Sequence, residues 1–225
     1  MQSDYKKILD GHFSDPDPRP WNWVFYGDSI THGAAHTHGW RSFPEIFHER
    51  VRWELKKSAD IVINSAYSGQ TAFALSQKDY FESHVSRFAP DAVFLLIGTN
   101  DIVKTEGGAD SFRTYLESIM EQIIALDAIP IVQNYPPIAQ SDNPGYIKRF
   151  QQMPLYNEVI EETARKYDAV FVDHWSYWKS NCSDLDSWLG ETIHPGARGH
   201  FEMAMAIFKV LGIYTDTSPC CTVFK

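Results

Sequence analysis

A chain of 225 residues, 44% hydrophobic and 22% charged, is long enough for one core of ordinary size and short for two domains with a linker. Its 20 basic and 29 acidic residues leave a formal charge of -9, and no Lys/Arg-rich run relieves it, so nucleic acid is excluded as a partner. No stretch nears the roughly 18 apolar residues of a membrane span, so the chain should be soluble and no membrane partner is expected.

Three cysteines, Cys182, Cys220 and Cys221, lack C-x-x-C spacing and indicate neither a disulfide framework nor a zinc site. The first twenty residues hold no apolar leader stretch, and the sequence as given reads as cytoplasmic. Prolines at 16, 18 and 20 make residues 1–20 an extended lead-in. Residues 21–215 then read as a single domain and 216–225 as a tail.

Trp23 to Tyr26 forms the first strand, and it ends abruptly in Gly27-Asp28-Ser29, where the glycine lets the backbone turn. Phe43, Phe47, Val51 and Leu55 recur every four residues and mark the buried face of a helix. Ile61-Val62-Ile63 reads as a second, buried strand running into Asn64-Ser65-Ala66-Tyr67-Ser68-Gly69, and Thr71 to Phe88 as a less regular helical stretch. The continuous apolar run from Ala92 to Ile97 suits a strand covered on both faces, and it leads into Gly98-Thr99-Asn100-Asp101.

Phe112, Tyr115, Leu116, Ile119, Met120 and Ile123 keep helical spacing, and Ile129 to Gln133 is a fourth strand with Pro130 near its start. After a turn-rich loop from Pro136 to Gly145, Pro154 suits the start of a helix carrying Tyr156, Val159, Ile160 and Thr163. Ala169 to Val172 is the fifth strand, 174–193 a long loop, and Phe201 to Leu211 the last helix. Strand and helix alternate throughout, so the fold class is α/β, with a five-stranded parallel sheet and helices on both faces.

Cleaving an ester with a serine needs a base, a carboxylate to orient it, and donors where the oxyanion forms. Candidates follow the strands: Ser29 the first, Gly69 the second, Asn100 the third, and Glu191-Thr192-Ile193-His194-Pro195 the fifth. Such strand ends neighbour one another at one sheet edge. Asn100 suits a donor because its amide is neutral and carries two N–H groups. Gly27-Asp28-Ser29, Asn64 to Gly69, Gly98 to Asp101 and His194-Pro195 together resemble, in order, the blocks of the SGNH hydrolases, also called the GDSL esterase and lipase family. The resemblance runs from Trp23 to Leu211.

It implies a flavodoxin-like sandwich, Ser29 as nucleophile, His194 as base, and an oxyanion hole from the Ser29 and Gly69 amides and the Asn100 side chain. It also implies a short-chain, acetyl-type ester of a small molecule or carbohydrate as substrate, with an acyltransferase or a silent carbohydrate-binding module as alternatives. The chain departs from the family in Ala66, where glycine is frequent, and in Glu191, where aspartate usually stands three residues before the histidine. Glutamate can orient a histidine; Asp186 and Asp173 are the competing carboxylates.

His32, His36 and His38 cluster after Ser29 without the further ligands of a familiar metal site, and serine chemistry needs no metal. Trp40, Trp175, Trp178 and Trp188 flank the site segments, either as stacking surfaces for sugar rings or as core and loop packing. Neither G-x-G-x-x-G nor G-x-x-x-x-G-K-[ST] occurs, so no nucleotide or flavin cofactor is expected.

Overall fold

The computed structural model describes residues 4–222. Five parallel strands, β1 (Asn22–Gly27), β2 (Ile61–Asn64), β3 (Ala92–Leu96), β4 (Ile129–Gln133) and β5 (Val170–Val172), form one sheet in the order β2-β1-β3-β4-β5. This is the doubly wound order in which β1 and β3 diverge to opposite sides, opening a crevice at the carboxyl ends of the strands. The register sets Gly27 beside Leu96 and Phe25 beside Asn64, so the segments that follow β1, β2 and β3 emerge together.

Successive residues of β1 serve opposite faces, as the pleat requires. Phe25 stacks on Phe94 at 4.2 Å and meets Phe43 and Phe47 of α3 (Phe43–His48), which continues as a π-helix over Glu49–Glu54. Phe47 in turn meets Phe208 of α10 (Ala197–Leu211). On the other face, the Tyr26 hydroxyl donates to the Leu75 carbonyl of α4 (Ala72–Ser76), and its ring lies edge-on to Phe81 of α5 (Lys78–His84). That second layer is completed by α7 (Gly108–Ile124) and α8 (Pro144–Lys166).

Four expectations need correction. The lead-in is not extended throughout: Asp4–Ser14 forms α1, anchored by buried Leu9 and His12. β2 is a sheet edge rather than a buried strand, and Ile61 is 54% exposed. Helix α8 begins ten residues before Pro154, at Pro144, with the Asn143 side chain accepting from the Gly145 amide at 2.9 Å; Pro154 lies inside it. Segment 174–193 opens with α9 (His174–Asn181), capped by Asp173, and includes a 3-10 turn at Leu185–Ser187.

At the far end, the tail packs on the body. α11 (Pro219–Thr222) buries Cys220 and Cys221, and the Cys220 amide donates to Glu54 at 3.0 Å.

Candidate active site

The sequence of β1 delivers Ser29 to the crevice by a turn too tight for a side chain at position 27. A Cβ on Gly27 would lie 2.3 Å from the Leu96 carbonyl oxygen and 2.8 Å from the Thr31 hydroxyl, so space rather than a special backbone angle requires the glycine. Asp28, fully buried, caps the short helix α2 (Ser29–His32) by accepting from the Ile30 amide at 3.1 Å. The Tyr135 hydroxyl donates to its other oxygen at 2.6 Å. Burial pushes the Asp28 carboxyl up to about 7 against these donors.

Ser29 Oγ lies 2.7 Å from His194 Nε2. On the other side of the ring, His194 Nδ1 hydrogen-bonds Glu191 Oε1, which also accepts from the His194 amide at 3.1 Å and more weakly from the Ile193 amide. A carboxylate can only accept, so Glu191 selects the Nδ1–H tautomer and leaves Nε2 to accept from the Ser29 hydroxyl. Burial would raise the Glu191 carboxyl, yet His194 and the two amides hold it below its ordinary range. His194, with a side chain 12% exposed, is also lowered: burial outweighs the pull of Glu191, and the neighbouring His36 and Arg149 act in the same direction as burial. The resting pair is therefore an anionic glutamate beside a neutral imidazole.

The competing carboxylates lie elsewhere. Asp173 caps α9 through the Ser176 amide at 3.0 Å and accepts from Asn134 at 2.7 Å, and Asp186 is exposed on the 3-10 turn. Neither is bonded to His194.

The Gly69 and Asn100 segments are tied to each other. Asn100 Nδ2 donates to the Gln70 carbonyl at 2.9 Å, and Lys104 at the end of α6 (Asp101–Lys104) donates to the Gly69 carbonyl at 2.9 Å. Both oxygens of buried Asp101 accept from the Ala72 amide at 3.0 Å, locking the start of α4 to the same turn. Burial pushes Asp101 up to about 6. Gly69 sits at φ +84°, a conformation that side chains rarely adopt. Among the described residues no internal acceptor takes the Ser29 or Gly69 amide.

Two contributors hold places at the site that the sequence does not signal. Arg149, from the early turns of α8, donates to the Thr99 carbonyl at 3.1 Å and to Asn100 Oδ1 at 3.4 Å, which orients the Asn100 amide with its N–H groups away from the guanidinium. His36 lies face to face with His194, ring centroids 3.6 Å apart and planes within 5°. The three histidines after Ser29 thus diverge: His32 hydrogen-bonds Ser68 at 3.0 Å, and His38 is exposed. Donor atoms of His36, Glu191 and His194 lie within 4.8 Å of one another. Stacked rings, however, send their in-plane lone pairs parallel rather than toward one point, and both His194 nitrogens are engaged.

Of the four tryptophans, Trp178 and Trp188 are buried edge to face, a packing role, and Trp175 is half-buried. Trp40 is 52% exposed.

The profile of the GDSL-like lipase/acylhydrolase family matches residues 25–200, which takes in every segment just described. The chain belongs to that family. Membership in the GDSL-like family makes it a carboxylic ester hydrolase, and the five-stranded sandwich is the family's fold. An acetylxylan esterase from Geobacillus stearothermophilus superposes with a TM-score of 0.69 at 21% identity, over 86% of this chain and 95% of that one. An alpha/beta hydrolase enzyme from the metagenome of Lake Arreo superposes with a TM-score of 0.72 at 17% identity, over 87% and 97%. A Mycoplasma pneumoniae protein is 33% identical over 104 residues, 44% of this chain, and the match spans only 11% of that longer relative. No helix among the described residues is long and apolar enough to cross a membrane.

Proposed function

We propose that this GDSL-like hydrolase cleaves short-chain acyl esters, acetyl above all, from a small-molecule or carbohydrate alcohol through an acyl-enzyme on Ser29. The observation that carries the reading is the hydrogen-bonded chain Ser29, His194, Glu191 at the carboxyl edge of the sheet. His194 Nε2 takes the Ser29 proton as Oγ attacks the carbonyl carbon, and Glu191 stabilises the imidazolium that results. The Ser29 and Gly69 amides and Asn100 Nδ2 are the donors for the tetrahedral oxyanion. His194 then protonates the leaving alcohol, and a water activated by the same nitrogen releases the acid. The acetylxylan esterase neighbours support the acetyl and sugar assignments.

A ladder of p-nitrophenyl esters, assayed beside an O-acetylated xylo-oligosaccharide, tests the substrate. Expected are the highest kcat/KM at acetyl, a steady fall with chain length, and acetate release from the sugar. A maximum at octanoyl or longer refutes the short-chain reading.

Glu191 is tested against its two rivals on one ester. Glu191→Gln is expected to lower kcat by roughly 10²-fold to 10⁴-fold, since an amide no longer selects the Nδ1–H tautomer or stabilises imidazolium. Asp186→Asn should remain near wild type, and Asp173→Asn should disturb the α9 cap rather than turnover. A crippled Asp186 or Asp173 variant beside an active Glu191→Gln protein would overturn the assignment.

A further inference from the structure

We propose that His36 is a positioning residue: its ring is the wall that holds the His194 imidazole in the plane joining Ser29 to Glu191. The inference rests on His194 being the base, as proposed above, and adds a fourth side chain to that group.

The two hydrogen bonds of His194 leave at Nδ1 and Nε2, both in the plane of the ring. They fix its rotation within that plane but leave it free to rock about the line through the two nitrogens. Rocking swings the Nε2 lone pair off the Ser29 hydroxyl, and a loss of alignment of this kind is costly in a proton transfer. A second flat ring 3.6 Å away and parallel to within 5° blocks that motion on one face.

The wall is itself braced. The His36 carbonyl oxygen packs so closely on the loop bearing Glu191 and His194 that a Cβ on Gly190 would lie 2.7 Å from it. That loop is closed by the Gly190 amide donating to the His194 carbonyl at 2.8 Å and by the bridge between Leu189 and Pro195. On the other side, buried Thr37 donates its hydroxyl to the Gly33 carbonyl at 3.0 Å. Only seven positions separate His36 from Ser29, so one short loop places both the nucleophile and the wall.

The wall also carries charge chemistry. The groups facing His194 are Glu191, which favours its cation, and His36 and Arg149, which oppose it; buried His200 lies in the same field. Two imidazoles in face contact disfavour a shared positive charge. His36 therefore helps to keep the base unprotonated as pH falls.

The test compares His36→Ala and His36→Phe with wild type in kcat, KM and pH profile. His36→Ala should lower kcat by roughly 10-fold to 100-fold with little change in KM, and should move the acid limb of kcat/KM to higher pH. His36→Phe supplies a flat ring and should recover most of the lost kcat. If His36→Ala matches wild type in both kcat and acid limb, the proposal fails. It fails too if His36→Phe is as impaired as His36→Ala, because the imidazole nitrogens rather than its face would then matter. A second readout needs no activity: in the Ser29→Ala background, the His194 imidazole followed by ¹⁵N NMR should titrate at higher pH once His36 is alanine. An unmoved midpoint overturns the charge effect of His36 on the base, whereas an active Ser29→Ala enzyme overturns the reading of the site and leaves this measurement standing.

Discussion

Replacing Ser29 with alanine is expected to lower kcat for ester hydrolysis by roughly 10⁶-fold, the scale of losing a serine nucleophile that acts as one unit with its base. The fold should survive. Ser29 contributes a single side-chain hydrogen bond, to His194, while the cap of its helix comes from Asp28 and alanine is the best helix former. Stopped-flow assays for the burst of first product, together with circular dichroism melts, separate the two effects. Full turnover in a folded Ser29→Ala protein would falsify the nucleophile assignment.

The second large effect lies at the opposite edge of the sheet and concerns stability. Asp60, with a side chain 2% exposed, hydrogen-bonds His12 Nε2 at 2.8 Å and accepts from the Trp23 indole at 2.8 Å and the Trp21 amide at 3.1 Å. His12 in turn stacks on Trp21 at 4.1 Å, so one carboxylate fastens α1 to the start of β1. Asp60→Ala leaves these buried donors without an acceptor and should cost about 3–5 kcal/mol, read as a lower urea midpoint at pH 7 with activity retained in the folded fraction. Burial acts to raise the Asp60 carboxyl, but His12, Trp23 and Trp21 together hold it below the ordinary range. A depressed folded value stabilises fully above the unfolded pKa near 4 and drains away as pH falls through the folded one. The stability gap between wild type and Asp60→Asn should therefore narrow below about pH 4. A urea midpoint for Asp60→Ala within error of wild type would show that α1 is fastened by its apolar contacts alone.

The sequence declared its strands and the four blocks because those signals are local: an apolar run, then a glycine, then a polar residue with a task. It could not show which strand lies at an edge, since Ile61-Val62-Ile63 is as apolar as an interior strand and only the sheet order exposes it. Helix α1 was hidden because its anchor is a buried histidine paired 48 positions away. The first turns of α8 leave Ile147 and Phe150 in solvent, so they show no buried stripe, and Pro154 drew the expected start too late. Ser29, His194 and Glu191 were nameable from spacing and resemblance. Arg149 and His36 were not, because each acts on a residue far along the chain, and His36 drew notice only as one of three histidines.

Helices α1 and α11 meet the body at one pole of the molecule. Helix α1 is held there by Asp60 and by Lys57 donating to the Asp15 carbonyl, and the tail is held there by Glu54, which also pairs with Arg50 at 2.7 Å. Residues 54–60 lead into the first residue of β2, whereas Ser29 lies past the last residue of β1. A pull on α1 or on the Glu54 contacts of α11 therefore acts at the amino ends of the strands, a strand length from the crevice. Such a pull loosens α1 and the Glu54 contacts before it strains the loops that bear Ser29 and His194, so turnover should be the last property lost.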